Sequence, residues 1–173
     1  MSASISRLVF VDTNILAYAR NVRDSRKRAI ALDWLSCLAQ SRTGRLSWQV
    51  LNEFYALATH PKKLAMPVAA AQADVLALQH WQPIAPCADL FRTAWDVQDR
   101  YRFSWWDSTI VAAAILAKCK ILLSEDLQHE QVINRTLQII DPFAPNAPLR
   151  QQDTGSARPI PASYFPAKQR AQC

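Results

Sequence analysis

The sequence predicts an α/β fold in which a central, mostly parallel sheet is flanked by helices. Three observations carry that expectation. Short β-branched or apolar runs alternate with longer stretches whose apolar residues recur at three-and-four spacing. The alternation continues through most of the chain, as in chains of βα units rather than in runs of hairpins. At 173 residues and 50% hydrophobic content, the chain suits one domain with an ordinary core.

The first strand is expected at Leu8 to Asp12, followed by a short helix from Thr13 to Ala19. Ser25 to Gln40 reads as a helix, with Ile30, Trp34, Leu35 and Leu38 near the helical period. A brief strand is expected at Arg45 to Ser47. The next helix, Gln49 to Thr59, places Leu51, Phe54, Tyr55 and Ala58 on one stripe and stops at His60-Pro61. Two further helices occupy Val68 to His80 and Ala88 to Arg102, with a possible short strand at Pro83 to Pro86 between them. An apolar helix from Asp107 to Ala117 precedes a buried strand at Lys120 to Ser124, and Thr136 to Ile140 forms the last strand.

Six of the ten prolines lie from Pro142 onward, where Gln, Ser, Ala and Arg replace the apolar periodicity. Such composition buries too little surface to offset ordering entropy, so residues 1–142 are expected as the folded domain and 143–173 as a flexible tail. The longest apolar run, Ile110 to Ala117, falls far short of the roughly 18 residues of a membrane span. The N-terminal Met-Ser-Ala-Ser-Ile-Ser-Arg has no signal-peptide apolar region, and a cytoplasmic location is expected. Cys37, Cys87, Cys119 and Cys173 are widely separated and read as free thiols.

Four acids stand where a carboxylate loses hydration. Asp12 closes Leu-Val-Phe-Val, Asp126 follows Ile-Leu-Leu-Ser-Glu, Asp107 opens an apolar helix, and Glu53 lies beside a core stripe. Asp12 and Asp126 fall at or just past the C-terminal ends of expected parallel strands, the edge where open α/β sheets bind ligands. Each acid also has a purely structural reading: Asp12 and Asp107 as helix caps, Asp126 as a turn former, Glu53 as an exposed helix former. Their coincidence at one edge favours a metal site. Two carboxylates about 4 Å apart repel by roughly 4 kcal/mol at an effective dielectric near 20, a balance that a divalent ion reverses. Hard oxygen ligands select Mg²⁺ or Mn²⁺, and one or two such ions can activate water for in-line attack on phosphorus.

Charge agrees with a polyanionic partner. The chain carries +6 overall, and setting aside the four candidate ligands leaves 20 basic residues against 10 acidic ones. Arg20, Arg23, Arg26, Lys27 and Arg28 form the densest basic segment. With only Gly44 and Gly155, neither beside a site motif, no Gly-rich loop can cradle phosphate. A haloacid-dehalogenase-type phosphotransferase is disfavoured, because Asp12-Thr13-Asn14 lacks the second acid two residues on. His60, His80 and His129 share no useful spacing, and Trp105 and Trp106 read as scaffold residues, with Trp106 packing near the site.

The segments Phe-Val-Asp12-Thr13-Asn14-Ile-Leu, Ser47-Trp-Gln49-Val-Leu-Asn-Glu53-Phe-Tyr, Ser104-Trp-Trp106-Asp107-Ser and Leu-Leu-Ser124-Glu125-Asp126-Leu resemble, in order, the motifs of PIN-domain nucleases. The likeness is closest to VapC-type toxins of bacterial toxin–antitoxin pairs and spans Leu8 to Asp141. It implies a PIN-like three-layer fold and a Mg²⁺- or Mn²⁺-dependent endoribonuclease, working as a homodimer on an RNA substrate and silenced by a small antitoxin. Asp12, Glu53, Asp107 and Asp126 match the acidic positions; Thr13, Asn14, Ser47 and Ser124 match supporting polar positions. Lys118 stands where such sequences often carry a helix-ending Gly, and Glu125 beside Asp126 leaves two candidates for the fourth acid. The alternative function is a non-catalytic module that keeps the fold and binds nucleic acid or a partner.

Overall fold

The computed structural model describes residues 7–147. Along the chain run β1 (Val9–Val11), α1 (Thr13–Arg20), α2 (Ser25–Ser41), β2 (Gly44–Arg45), α3 (Trp48–Thr59), α4 (Val68–Leu78), α5 (Ala88–Tyr101), α6 (Trp105–Leu116), β3 (Ile121–Leu123), β4 (Val132–Ile133) and β5 (Leu137–Ile140). The strands form one sheet in the order β2-β1-β3-β5-β4, parallel throughout except for the β4–β5 pair. This is the α/β architecture expected from the sequence. The chain leaves β1 toward β2 on one side and returns to β3 on the other, so a topological switch point lies between β1 and β3.

The two central strands are apolar and inaccessible, with Phe10, Val11, Leu122 and Leu123 fully buried. That is the pattern of parallel strands covered on both faces. Helix α6 is apolar around its circumference and buried from Ser108 to Ala114. It packs against α5, while α1 packs against α2 and α3. Side-chain caps define several helix starts: Asp12 begins α1, Asp24 begins α2, Ser47 begins α3 and Ser104 begins α6.

Local chemistry explains where element boundaries depart from expectation. Helix α6 starts at Trp105, two residues before Asp107, because Ser104 and Asp107 form a reciprocal pair: Ser104 Oγ accepts from Asp107 N at 3.1 Å and donates to Asp107 Oδ2 at 2.7 Å. Ser47 lies outside β2 as the cap of α3, accepting from Val50 N at 3.3 Å, and the strand expected at Pro83 to Pro86 shrinks to a single bridge between Ile84 and Ser47. The end of the helix expected to reach His80 tightens into a 3-10 turn over Gln79–Trp81. Strand β4 escapes a periodicity reading because it has two residues; its hairpin turn uses Asn134 and Arg135, both with positive φ, without the Gly that usually signals such a turn.

Helices α2 and α6 both end on a left-handed residue, Arg42 (φ 57°) and Lys118 (φ 57°), where Gly would be unstrained. In each case the next amide reaches back to close the last turn: Thr43 N to Leu38 O at 3.1 Å and Cys119 N to Ala114 O at 3.0 Å. Phe143 is buried and meets Tyr18 edge-on at 5.0 Å, so packing continues just past the domain boundary expected at residue 142. Most of the expected proline-rich tail, residues 148–173, lies outside the described residues.

Gly44 is required by contact. A Cβ placed there would lie 2.3 Å from Cε3 and Cζ3 of Trp81, so the buried indole or the strand would have to shift. Gly44→Ala is expected to lower unfolding free energy by about 1 to 3 kcal/mol in urea titration, the usual range for overpacking. An unchanged midpoint would contradict this close approach.

Candidate active site

Strand register builds the site. Val11 pairs with Leu123 in the parallel β1–β3 ladder, so the residues that follow them, Asp12 and Ser124, emerge side by side at the C-terminal edge. Asp12 N continues the ladder to Leu123 O at 3.1 Å, and Ser124 N continues the next one to Ile140 O at 3.0 Å. Two residues 112 apart in sequence thus meet, with Ser124 Oγ donating to Asp12 Oδ2 at 2.7 Å. The same hydroxyl oxygen accepts from Asn14 Nδ2 at 3.3 Å and from Asp126 N at 3.2 Å.

Asp12 is a buried acid at a helix start. Its Oδ1 accepts from Thr13 N at 2.6 Å. Burial pushes its pKa up to about 6; bonds from Ser124 and Thr13 oppose the rise, and the charges of Asp126 and Glu53 add to it. Asn14 and Thr13 tie the other two acids to this centre. Asn14 Nδ2 donates to Asp126 Oδ2 at 2.9 Å, and Thr13 Oγ1 donates to Glu53 Oε2 at 2.7 Å.

Gln49, one helical turn before Glu53, connects the site to α6. Its Nε2 donates to Glu53 Oε1 at 2.9 Å and reaches Trp106 O at 3.4 Å, while its Oε1 lies 2.6 Å from Thr109 Oγ1. Asp107 occupies the adjoining first turn of α6, half-buried, and its carboxylate is held by Ser104. It shares no hydrogen bond with the other three acids. In the sequence Gln49 stands only as a motif residue without a role, and Thr109 is not singled out; the Gln49 and Glu53 spacing of four on one helix was the available signal.

Glu125 and Asp126 face different partners. Lys27 forms an ion pair with Glu125 and donates to Tyr18 Oη at 3.0 Å, with its ammonium 4.4 Å from the Tyr18 ring centroid. Burial acts to lower the Lys27 pKa, but its bonds to Glu125 and Tyr18 outweigh that and hold it above the usual value. Glu125 is therefore engaged outside the carboxylate group, and Asp126 is the one turned toward Asn14. Ser47, expected beside the acids, instead caps α3 and makes no hydrogen bond to them. Trp106, expected to pack, is 66% exposed.

The four acids do not form one ready-made ligand cluster: among the described residues, no three of His, Cys, Asp or Glu are grouped to hold a metal ion. Each acid instead satisfies itself on neutral donors of its own neighbourhood. The donor chemistry nevertheless fits a hard divalent cation, being all oxygen and mutually repulsive at Asp12. Asn14 adds to this fit. Three acceptors, on Asp12, Ser124 and Asp126, fix its Nδ2, leaving Oδ1 buried without a hydrogen-bond partner among the described residues.

The raised Asp12 pKa gives a signed stability effect. Between the ordinary 3.8 and about 6, the folded chain keeps a proton that the unfolded chain has lost, so stability falls as pH rises through that window. The full loss, on the order of 3 kcal/mol, is present above the folded value and absent below the unfolded one. In EDTA, Asp12→Asn is expected to remove this pH-dependent loss and to exceed the parent's unfolding free energy at pH 7, measured by urea titration from pH 4 to 8. Parallel pH profiles for the two proteins would contradict the assignment.

Comparison with known proteins gives two further findings. Among solved structures, the chain is similar to the Mycobacterium tuberculosis toxin VapC20, described as a sarcin–ricin loop cleaving toxin; identity is 22%, the match covers 66% of this chain and 86% of that one, and the TM-score is 0.48. No curated protein matches the sequence. The PIN domain family matches residues 9–134, from the first residue of β1 to the β4–β5 turn, a span that includes Asp12, Glu53, Asp107 and Asp126. Well over half of the chain lies within that match, and the chain belongs to the PIN domain family.

Proposed function

We propose that this chain is a Mg²⁺- or Mn²⁺-dependent endoribonuclease that acts as the toxin of a toxin–antitoxin pair. The observation that carries this reading is the linkage of Asp12, Glu53 and Asp126 through Thr13, Asn14 and Ser124 at the C-terminal edge of a parallel sheet, within a PIN domain. Asp12 and Asp126, with Glu53 and Asp107, would hold the ion. When bound, it would supply the Lewis-acid charge needed to hydrolyse an RNA phosphodiester with water.

The residues around the acids have separable tasks. Ser124 and Asn14 orient Asp12 and Asp126 toward a common space, and Thr13 sets the carboxylate of Glu53. Gln49 couples Glu53 to the first turn of α6, which carries Asp107. Such positioning matters because metal-site partners beyond the ligands are typically worth about 10- to 100-fold in affinity or activity.

The partners follow the same reading. The basic excess outside the acids suits an RNA strand, and an acidic cleft gives a small antitoxin reason to insert Arg or Lys where the ion would sit. The working unit is a homodimer in the cytoplasm; no helix among the described residues is long and apolar enough to cross a membrane. The self-satisfied acids also support a second reading, a non-catalytic module that binds nucleic acid or a partner.

Purified antitoxin-free protein is expected to cleave RNA with Mn²⁺ and not with EDTA. Asp12→Asn and Asp107→Asn are expected to reduce the rate on the order of 100-fold or more. Undiminished cleavage by Asp107→Asn would remove that residue from the site. Absence of cleavage by well-folded parent protein with either ion would favour the binding module.

A further inference from the structure

We infer that the aromatic cleft beside Glu53 is a nucleobase subsite, which takes one unpaired base of a single-stranded RNA crossing the carboxylates. This rests on the ribonuclease reading and specifies where its substrate is gripped. The cleft has a volume of about 660 Å³ and is lined by Trp48, Asn52, Glu53, Phe91, Trp105 and Trp106, among others. Glu53 belongs to both the cleft and the carboxylate group, so the two are continuous.

Its walls have the chemistry of a stacking platform. Trp106 is 66% exposed, Phe91 41% and Trp48 38%, although rings of this size normally bury themselves. Their backbones are anchored all the same. Trp48 N donates to Ile84 O at 3.0 Å, and Trp106 O lies 2.7 Å from Thr109 Oγ1 and 3.4 Å from Gln49 Nε2. Phe91 is further braced by parallel stacking on Trp105, with centroids 5.9 Å apart. Open rings on fixed supports can stack a base at little cost in conformational entropy.

Among the polar groups lining the cleft, Asn52 is the one that can select the occupant. Asn52 lines the cleft, is exposed, and makes no side-chain hydrogen bond among the described residues, so its amide presents donors and an acceptor to whatever enters. A base offers both a π-face for the rings and a polar edge for that amide. A second copy of the chain laid over this face would cover the approach to Glu53 and would have to supply a polar partner for Asn52. The excess positive charge of the chain also favours a strand that brings phosphates.

The test measures binding of a labelled 12-nucleotide single-stranded RNA to the full chain in EDTA, together with a series of the same RNA carrying one abasic position at a time. Trp106→Ala and Trp48→Ala are each expected to raise Kd about tenfold, the scale of one lost base stack. At one position, the abasic RNA should bind the parent equally weakly, with no further loss in Trp106→Ala. Circular dichroism checks folding, which the exposure of Trp106 should leave intact.

Binding within twofold of the parent in both variants overturns the subsite. So does an abasic series that weakens parent and variant alike at every position, or a Trp106→Ala change that only converts a dimer to monomers, which would assign the face to contact between copies. Cleavage with Mn²⁺ separates this inference from the reading beneath it. A parent that cleaves RNA while both variants keep its Kd and KM loses the subsite alone; a parent that neither binds nor cleaves RNA loses the ribonuclease reading as well.

Discussion

The structure depends on a carboxylate held out of water at the end of its first strand. Asp12 must lie there because Val11 and Leu123 are in register, and Ser124 must stand beside it to donate a hydrogen bond. Burial and the nearby Asp126 and Glu53 charges make its ionisation unfavourable, at the edge of a core built from apolar side chains. A fold optimised only for stability would put an Asn or Ser at this position. Keeping an acid there trades folding free energy for an electrostatic sink that a cation can fill.

Neutral donors and ion pairs divide the labour around this centre. Thr13, Asn14 and Ser124 bring acids from separate parts of the chain together without cancelling their charge, whereas Lys27 neutralises Glu125 just outside the group. Arg20 similarly pairs with Asp74 across α1 and α4; burial still leaves the Asp74 carboxyl above its ordinary pKa, although Arg20 pulls it down. The densest basic segment is thus partly structural. Arg26 also donates to Phe143 O, which leaves the exposed Arg23 and Arg28 as the segment's clearest candidates for a polyanion.

Sheet, helices and the neighbourhood of Asp12 were legible because each rests on local chemistry. Apolar runs of four and three residues mark β1 and β3, and an acid closing the first is conspicuous even in isolation. The brief β4 and the 3-10 turn at Trp81 were not legible, since two or three residues carry no period. Side-chain direction was harder still. Adjacent letters give no hint that Glu125 turns to Lys27 while Asp126 turns to Asn14, or that Ser47 caps a helix instead of supporting an acid. Trp106 follows the same lesson: a Trp at a helix start usually anchors a core, and here its backbone is pinned while its ring faces solvent.

The most direct test of this account is the carboxyl titration of Asp12 itself, followed by ¹³C NMR on the metal-free chain with Asp12→Asn to assign the resonance. A midpoint near 6, shifted downward when Mg²⁺ is added, is the predicted result. A midpoint near the ordinary 3.8, indifferent to Mg²⁺, would contradict the buried, repelled carboxylate from which the site is built.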